Sequence, residues 1–181
     1  LKPSLTQAEV KELFDYRDGD LFWKARPRSD FKSDLTFKQW NPKHIGKKAG
    51  TFSNSHASVS INKHHYQLHR IIFLWHHGYL GEIIDHIDCN PKNNNIENLR
   101  IATHKQNIRN SGMYSHNKSG IKGVCWNTAK KKWMVQIKVN SKQTYIGLYD
   151  DIELADLVAQ EARNKYHGHF ANHGKGASNG I

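Results

Sequence analysis

Cysteine is scarce in this chain: Cys89 and Cys125 are the two it has, and they stand far apart. That excludes a Cys-rich zinc framework and offers no disulfide scaffold, so a reducing, cytoplasmic setting is the expected one. Long apolar runs are also missing. No stretch approaches the ~18 residues of a membrane span. No signal peptide is read at the start, which opens on Leu1 in place of Met, as if the native start had been trimmed or omitted. Acidic residues are the third shortage: 16 Asp and Glu stand against 27 Lys and Arg, a formal net charge of +11, with a pI near 9.7. Such a surplus favours polyanionic partners, nucleic acid being the commonest; the plainer alternative is a basic surface that merely keeps the chain soluble. With 181 residues and a mean hydropathy of −0.77, there is room for one or two small domains, each with a modest core.

Along the N-terminal third, Thr6 and Glu9 form a capping-box pattern ahead of Val10, Leu13 and Phe14 at helical spacing. This predicts a first helix of about ten residues, ended by a turn at Asp18-Gly19. Leu21 and Trp23 alternate as a short strand. From Arg26 to Gly50 the sequence is basic and weakly periodic, with Pro27 and Pro42, and reads as a long loop, either laid on DNA or merely solvated. Thr51 to Ile61 alternates, and Asn62-Lys63 is a hairpin turn into His64–Leu68. His69 to Trp75 reads as a short buried helix stopped by Gly78. The adjacent pairs His64-His65 and His76-His77 cannot face one metal from a single strand or helical turn, so they read as packing or surface groups.

The organising stretch is Ile83 to Asn107. Ile83-Ile84 leads into Asp85-His86, then a loop rich in Asn and Pro, then an alternating Leu99-Arg100-Ile101. Thr103 with Gln106 is a second capping box. Strand, loop, strand and helix are therefore expected, bringing a carboxylate, an imidazole and carboxamides to face one another. This set suits phosphodiester hydrolysis. His86 is placed to deprotonate a water, Asp85 to offer an oxygen to a hard cation, and Asn107 to add a second, uncharged oxygen. Mg²⁺ keeps most of its waters, so two protein ligands suffice.

The pattern Asp85-His86, long loop, Asn98-Leu99-Arg100, short helix with Asn107 resembles the H-N-H nucleases of the ββα-metal (His-Me finger) class, in particular the phage homing endonucleases. The resemblance covers residues 46 to 110. It implies Asp85 and Asn107 as metal ligands, His86 as general base, and Asn98 as the residue that braces the loop and orients the base. One Mg²⁺ or Mn²⁺ per active site is implied. The His69-Arg70 pair matches the family's upstream position and is read as packing. Many relatives place His where this chain has Asn107; His104, one turn earlier, ranks second as a ligand.

Residues 111–118 read as a linker. Beyond it, Ile121–Trp126, Trp133–Val139 and Thr144–Tyr149 are expected as three strands. They are joined by a turn at Lys130-Lys131-Lys132 and another at Asn140-Ser141-Lys142. A helix capped by Asp150-Asp151 follows, carrying Leu154, Leu157, Val158 and Ala162. One sheet face is covered by the helix. The other is expected to present Lys122, Trp126, Gln136, Lys138 and Tyr145 to base edges and phosphates. Gly120 to Val124, Lys132 to Lys138, Tyr145 to Tyr149 and Ala155 to Gly168 resemble the APETALA2 DNA-binding domain, whose sheet lies in the major groove. That resemblance adds Gln143 to the DNA-binding set and places Cys125 where a contacting Arg is common. Trp133 reads as a core aromatic.

The expected fold is thus α+β, a ββα-metal nuclease module followed by a small three-stranded antiparallel sheet packed on one helix. The expected divisions are 1–45 (helix, strand, basic loop), 46–110 (nuclease), 111–118 (linker), 119–173 (APETALA2-like domain) and 174–181 (disordered tail). The implied function is a site-specific, divalent-metal-dependent endonuclease of homing type, acting on double-stranded DNA in a phage-infected cell. It would act as a monomer or a DNA-induced dimer, without a membrane. One alternative is a non-catalytic, sequence-specific DNA binder that retains a nuclease fold; another is an RNA binder using its exposed aromatics.

Overall fold

The computed structural model describes residues 4–53, 56–140 and 142–174. Ser141 of the expected turn and residues 175–181 of the expected tail lie outside the described residues. The chain divides into two compact units, Leu1–Ala102 and Thr103–Ile181.

In the first unit, Thr6 caps helix α1 (Gln7–Leu13) through the expected reciprocal box with Glu9. The helix is shorter than its apolar spacing predicts. Asp18 and Gly19 both adopt positive φ, 47° and 85°, which makes the two-residue turn of a hairpin and not a helix stop. A hairpin needs equal strands on both sides, so Phe14 leaves the helix to pair with Trp23, and β1 (Phe14–Arg17) faces β2 (Asp20–Trp23). The basic segment that follows is not a plain loop. It contains helix α2 (Asp34–His44), capped by the Ser33 hydroxyl. Without a buried residue, and with Pro42 in its last turns, α2 shows no apolar stripe in the sequence. It is fastened instead by Asn41, whose carboxamide accepts from Arg26 N and donates to Arg26 O, both at 3.0 Å. Trp40 adds an edge contact to Trp23, with centroids 5.1 Å apart.

Strands β3 (Thr51–Ser53), β4 (His56–Ile61) and β5 (His64–Gln67) form an antiparallel sheet in that order. Asn62 and Lys63, at φ 48° and 68°, make the tight turn between the last two. Helix α3 (Leu68–His77) buries Leu68, His69, Ile71, Ile72, Phe73 and Leu74, and Gly78 ends it in the left-handed conformation at φ 77°. Strands β6 (Ile83–His86) and β7 (Leu99–Ala102) pair antiparallel, Asp85 opposite Arg100 and His86 opposite Leu99. One core joins all of this. Val10, Phe14, Leu21 and Trp23 are buried with Val59, Ile61, Ile71, Ile72, Ile84 and Leu99. The first 45 residues therefore share a core with the segment that follows instead of standing as a division of their own.

The second unit opens with α4 (His104–Asn110), whose N-terminus carries the expected Thr103–Gln106 box. The division at residue 102 thus leaves β6 and β7 in one unit and α4 in the other, eight residues before the expected boundary at 110. Strands β8 (Val124–Asn127), β9 (Lys132–Val139) and β10 (Lys142–Tyr149) form a sheet with β9 in the centre, and helix α5 (Ile152–His167) packs on it. The buried seam of α5 is Ala155, Ala159 and Ala162, against Val124 and Val135. Small side chains let the helix approach closely, so Leu154 and Leu157, expected among its apolar face, point outward at 49% and 61% exposure.

Candidate functional site

His86 ends β6 and is buried, at 7% exposure. Its Nε2 lies 2.9 Å from the Asn94 carboxamide oxygen, a buried contact. In the tautomer whose Nε2–H donates to that oxygen, Nδ1 is the basic atom of the neutral imidazole. Two further imidazoles adjoin it. The His69 ring lies 5.0 Å from that of His86, and His56 lies 5.4 Å from His69 and 6.3 Å from His86. Burial, followed by the charges of His86, His56 and Arg70, lowers the His69 pKa to about 3. His56 is lowered by burial and by His86. His69 is therefore neutral at pH 7.

Asp85 precedes His86 on the strand and is equally buried. Its Oδ2 accepts from Arg100 Nε at 3.0 Å, directly across the β6–β7 pair. The loop between these strands is organised by a second carboxylate, Asp88. Its oxygens accept from the Asn90 N–H at 2.8 Å, Asn93 Nδ2 at 2.8 Å and Asn98 Nδ2 at 2.9 Å. Burial alone would raise the Asp88 pKa; these donors and the His86 charge outweigh it and hold the carboxyl below its usual value. Asn98 also accepts from the Asp88 N–H at 3.0 Å and donates to Asn93 O at 2.8 Å, so one carboxamide ties both ends of the loop. From outside the loop, the Tyr16 hydroxyl accepts from Ile96 N at 3.2 Å. A Cβ on Gly19 would lie 2.9 Å from Asn95 N, so the β1–β2 turn presses on the same segment.

Asp85, His86 and Asn98 are thus brought together on one strand pair and its loop. Asn107 lies on α4 in the second unit, as does His104. Asn94, Arg100 and Asp88 were not singled out from the sequence. Within the run Asn93-Asn94-Asn95, nothing in the composition separates the one buried carboxamide, Asn94 at 5% exposure, from its neighbours. Among the described residues, no group of three or more His, Cys, Asp and Glu is arranged to hold a metal ion.

In the second unit, the β8–β9–β10 register sorts the expected DNA-binding residues by face. Gln136 is opposite Tyr145 and Lys138 opposite Gln143, so these four share the face turned away from α5. Lys138, Gln143 and Tyr145 are exposed. Gln136 reaches Cys125 Sγ at 3.8 Å. Two expectations are corrected. Trp126 pairs with Trp133 while Val124 pairs with Val135, which puts Trp126 on the helix side, its ring 4.9 Å from Trp133. Lys122 lies before β8, because Gly123 turns the backbone at φ 82° under the Gln136 carbonyl. The Lys122 ammonium donates to the carbonyls of Arg109 and Ser111, at the C-terminus of α4 where a cation is favoured.

Comparison with known proteins bears on the segment that holds the first site. The family model described as HNH endonuclease matches residues 66–109, from β5 to the end of α4. Protein 3.8 of Escherichia phage T7 is 35% identical over 91 residues, 50% of this chain and 74% of that protein. No solved structure matches at a comparable level. With the buried Asp85-His86 pair inside the matched segment, the chain belongs to the HNH endonuclease family, as a relative of the phage T7 protein.

Proposed function

We propose that this protein is a site-specific, divalent-metal-dependent DNA endonuclease of the homing type, with His86 as general base and Asp85 and Asn107 as metal ligands. The observation that carries this reading is the hydrogen bond from His86 Nε2 to Asn94 at 2.9 Å. In the tautomer that donates from Nε2 to Asn94, Nδ1 is the basic atom that takes a proton from an attacking water. Asn98 keeps the loop closed through Asp88, so Asn94 stays in place. Arg100 steadies the Asp85 carboxylate by its hydrogen bond to one oxygen. A divalent cation, when bound, supplies neutralisation of the charge that grows on the phosphate and the leaving oxygen.

The sheet face of Gln136, Lys138, Gln143 and Tyr145 is the proposed contact with neighbouring duplex, in the manner of the APETALA2 domains it resembles; flat and long polar side chains on one exposed face support this. One active site per chain means one strand cut per binding event, so a double-strand break needs a dimer or a second event. The test is incubation of supercoiled plasmid carrying a candidate target with Mg²⁺, Mn²⁺ or EDTA. Metal-dependent open-circle or linear product is expected, reduced by about 10²–10⁴-fold in His86→Ala, the range for loss of a general base. Cleavage by His86→Ala at the parent rate would remove His86 from the mechanism. Tight duplex binding with no cleavage of a bound target would favour a non-catalytic binder.

A further inference from the structure

The second unit contains a cavity of about 570 Å³ that the endonuclease reading does not use. It lies between α4, the segment after it, the β8 and β9 strands, and α5. Its apolar surface comes from Ile108, Val124, Val135 and Ile137, with Ala159 and Ala162 of α5. Its charged lining is of one sign. Lys105, Arg109, Lys122, Lys138 and Arg163 contribute to it, and no Asp or Glu does. Tyr114 lines it as well and is 77% exposed, which leaves a flat ring available at the opening. The volume is within the ~300–1,000 Å³ typical of small-molecule sites, where apolar walls and a few placed polar groups are the usual lining.

The polar groups along this wall are held in an unusual state. Arg163 is 2% exposed. Its Nε donates to His173 Nδ1 at 3.2 Å and its Nη1 to the Lys122 carbonyl. Nη2 has no hydrogen-bond partner; Asp156 Oδ1 stands 3.9 Å away, an ion pair too long for a hydrogen bond. His167, also buried, bonds the Lys138 carbonyl through Nε2 at 3.0 Å, and its Nδ1 lacks a partner. Burial lowers the His167 pKa; the bond to Lys138 opposes this, and the positive charges of Arg109, Lys122 and Arg163 add to the lowering. A buried donor or acceptor left without a hydrogen-bond partner is costly, and the lining carries positive charge with no carboxylate among its residues. An anionic ligand answers the positive lining; it does not answer His167 Nδ1, which is an acceptor while Nε2 donates to the Lys138 carbonyl.

We propose that this cavity binds a nucleotide, its base on the apolar floor and against Tyr114 and its phosphate among Lys105, Arg109 and Arg163. An aromatic ring joined to a phosphate matches both halves of the lining, whereas an apolar ligand would leave the cations unanswered and a bare anion would leave the floor wet. The same chemistry is available from two sources: a free nucleoside monophosphate, or one unpaired nucleotide of a strand held on the adjoining sheet face. The second source rests on the DNA-binding reading above; the first does not.

The test uses the full chain carrying His86→Ala, without metal, so that cleavage plays no part. Titration calorimetry is run with deoxyadenosine monophosphate, deoxyadenosine, inorganic phosphate and a short single-stranded oligonucleotide. Arg109→Gln and Tyr114→Ala, both at the cavity and outside the proposed catalytic set, are compared with the parent. Binding of the monophosphate at least tenfold tighter than of deoxyadenosine or phosphate, weakened at least fivefold in both variants, is the expected result. Oligonucleotide binding with the same sensitivity to both variants, in place of or beside monophosphate binding, also supports the site and assigns the strand as source. Inorganic phosphate binding as tightly as the monophosphate, no saturable binding of any probe, or binding unchanged in both variants would overturn the proposal. Because plasmid cleavage by the parent protein is read separately, failure here leaves the nuclease reading standing, and the reverse also holds.

Discussion

In Asn94→Ala the His86 imidazole loses the carboxamide oxygen 2.9 Å from its Nε2, and with it one restraint on the ring and its tautomer. The cleavage rate is expected to fall by about 10–100-fold, the usual cost of removing a partner that orients an active-site histidine, with duplex affinity unchanged. Asn94→Asp, which keeps an acceptor oxygen, should recover part of the loss; equal rates for the parent and Asn94→Ala in single-turnover assays would dismiss the role. The neighbouring His69 makes a different prediction. Its folded value of about 3 lies below the ordinary 6.5, so the unfolded chain binds a proton that the folded one refuses. The stability this neutral ring contributes is complete above pH 6.5 and is lost progressively as pH falls toward about 3. Urea midpoints should therefore drop between pH 7 and pH 5, and the drop should be shallower in His69→Gln. An identical pH slope in that variant would assign the effect to another group.

At the scale of elements, the β1–β2 hairpin is a buttress for the loop between β6 and β7. Gly19 sits at φ 85° with Asn95 N only 2.9 Å from where its Cβ would stand, and Tyr16 accepts from Ile96 N. Gly19→Ala combines left-handed strain of about 1–2 kcal/mol with pressure on the segment that carries Asn94. A lowered melting temperature together with a fall in cleavage rate that persists well below melting is expected. A lower melting temperature with full activity at 20 °C would mean that the loop absorbs the push. This coupling was hidden in the sequence, because Asp18-Gly19 can end a helix or turn a hairpin. The pairing of Phe14 with Trp23, whose rings are 4.4 Å apart, decides between them. Helix α2 was hidden for a related reason. Its attachment is Trp40 and Asn41, two side chains without a periodic signal.

For the whole molecule the surplus of +11 has a measurable consequence. Binding of a cationic surface to duplex releases counterions, so the affinity should fall steeply with salt, the slope of log affinity against log salt being about −0.9 per phosphate neutralised. Lys138→Ala should weaken binding to all sequences alike and reduce that slope by about 1. Lys122→Ala, whose ammonium is engaged by the carbonyls of Arg109 and Ser111, should leave the slope nearly unchanged. Filter-binding or anisotropy measurements between 50 and 200 mM salt distinguish the two; an unaltered slope in Lys138→Ala would take this lysine off the phosphate backbone.

Local chemistry was enough to locate the Asp85-His86 strand end, both capping boxes, the Asn62-Lys63 turn and the Gly78 helix stop. Each depends on residues within a few positions of one another, so short-range rules reach them. What needed the tertiary structure was pairing and facing. A single glycine, Gly123, removed Lys122 from the strand, and the β8–β9 register turned Trp126 toward the helix side. The core drew the first 45 residues together with β4 and α3. Burial picked Asn94 out of three consecutive asparagines. These are decisions about which distant atoms meet, and no residue carries that information until the chain has closed around it.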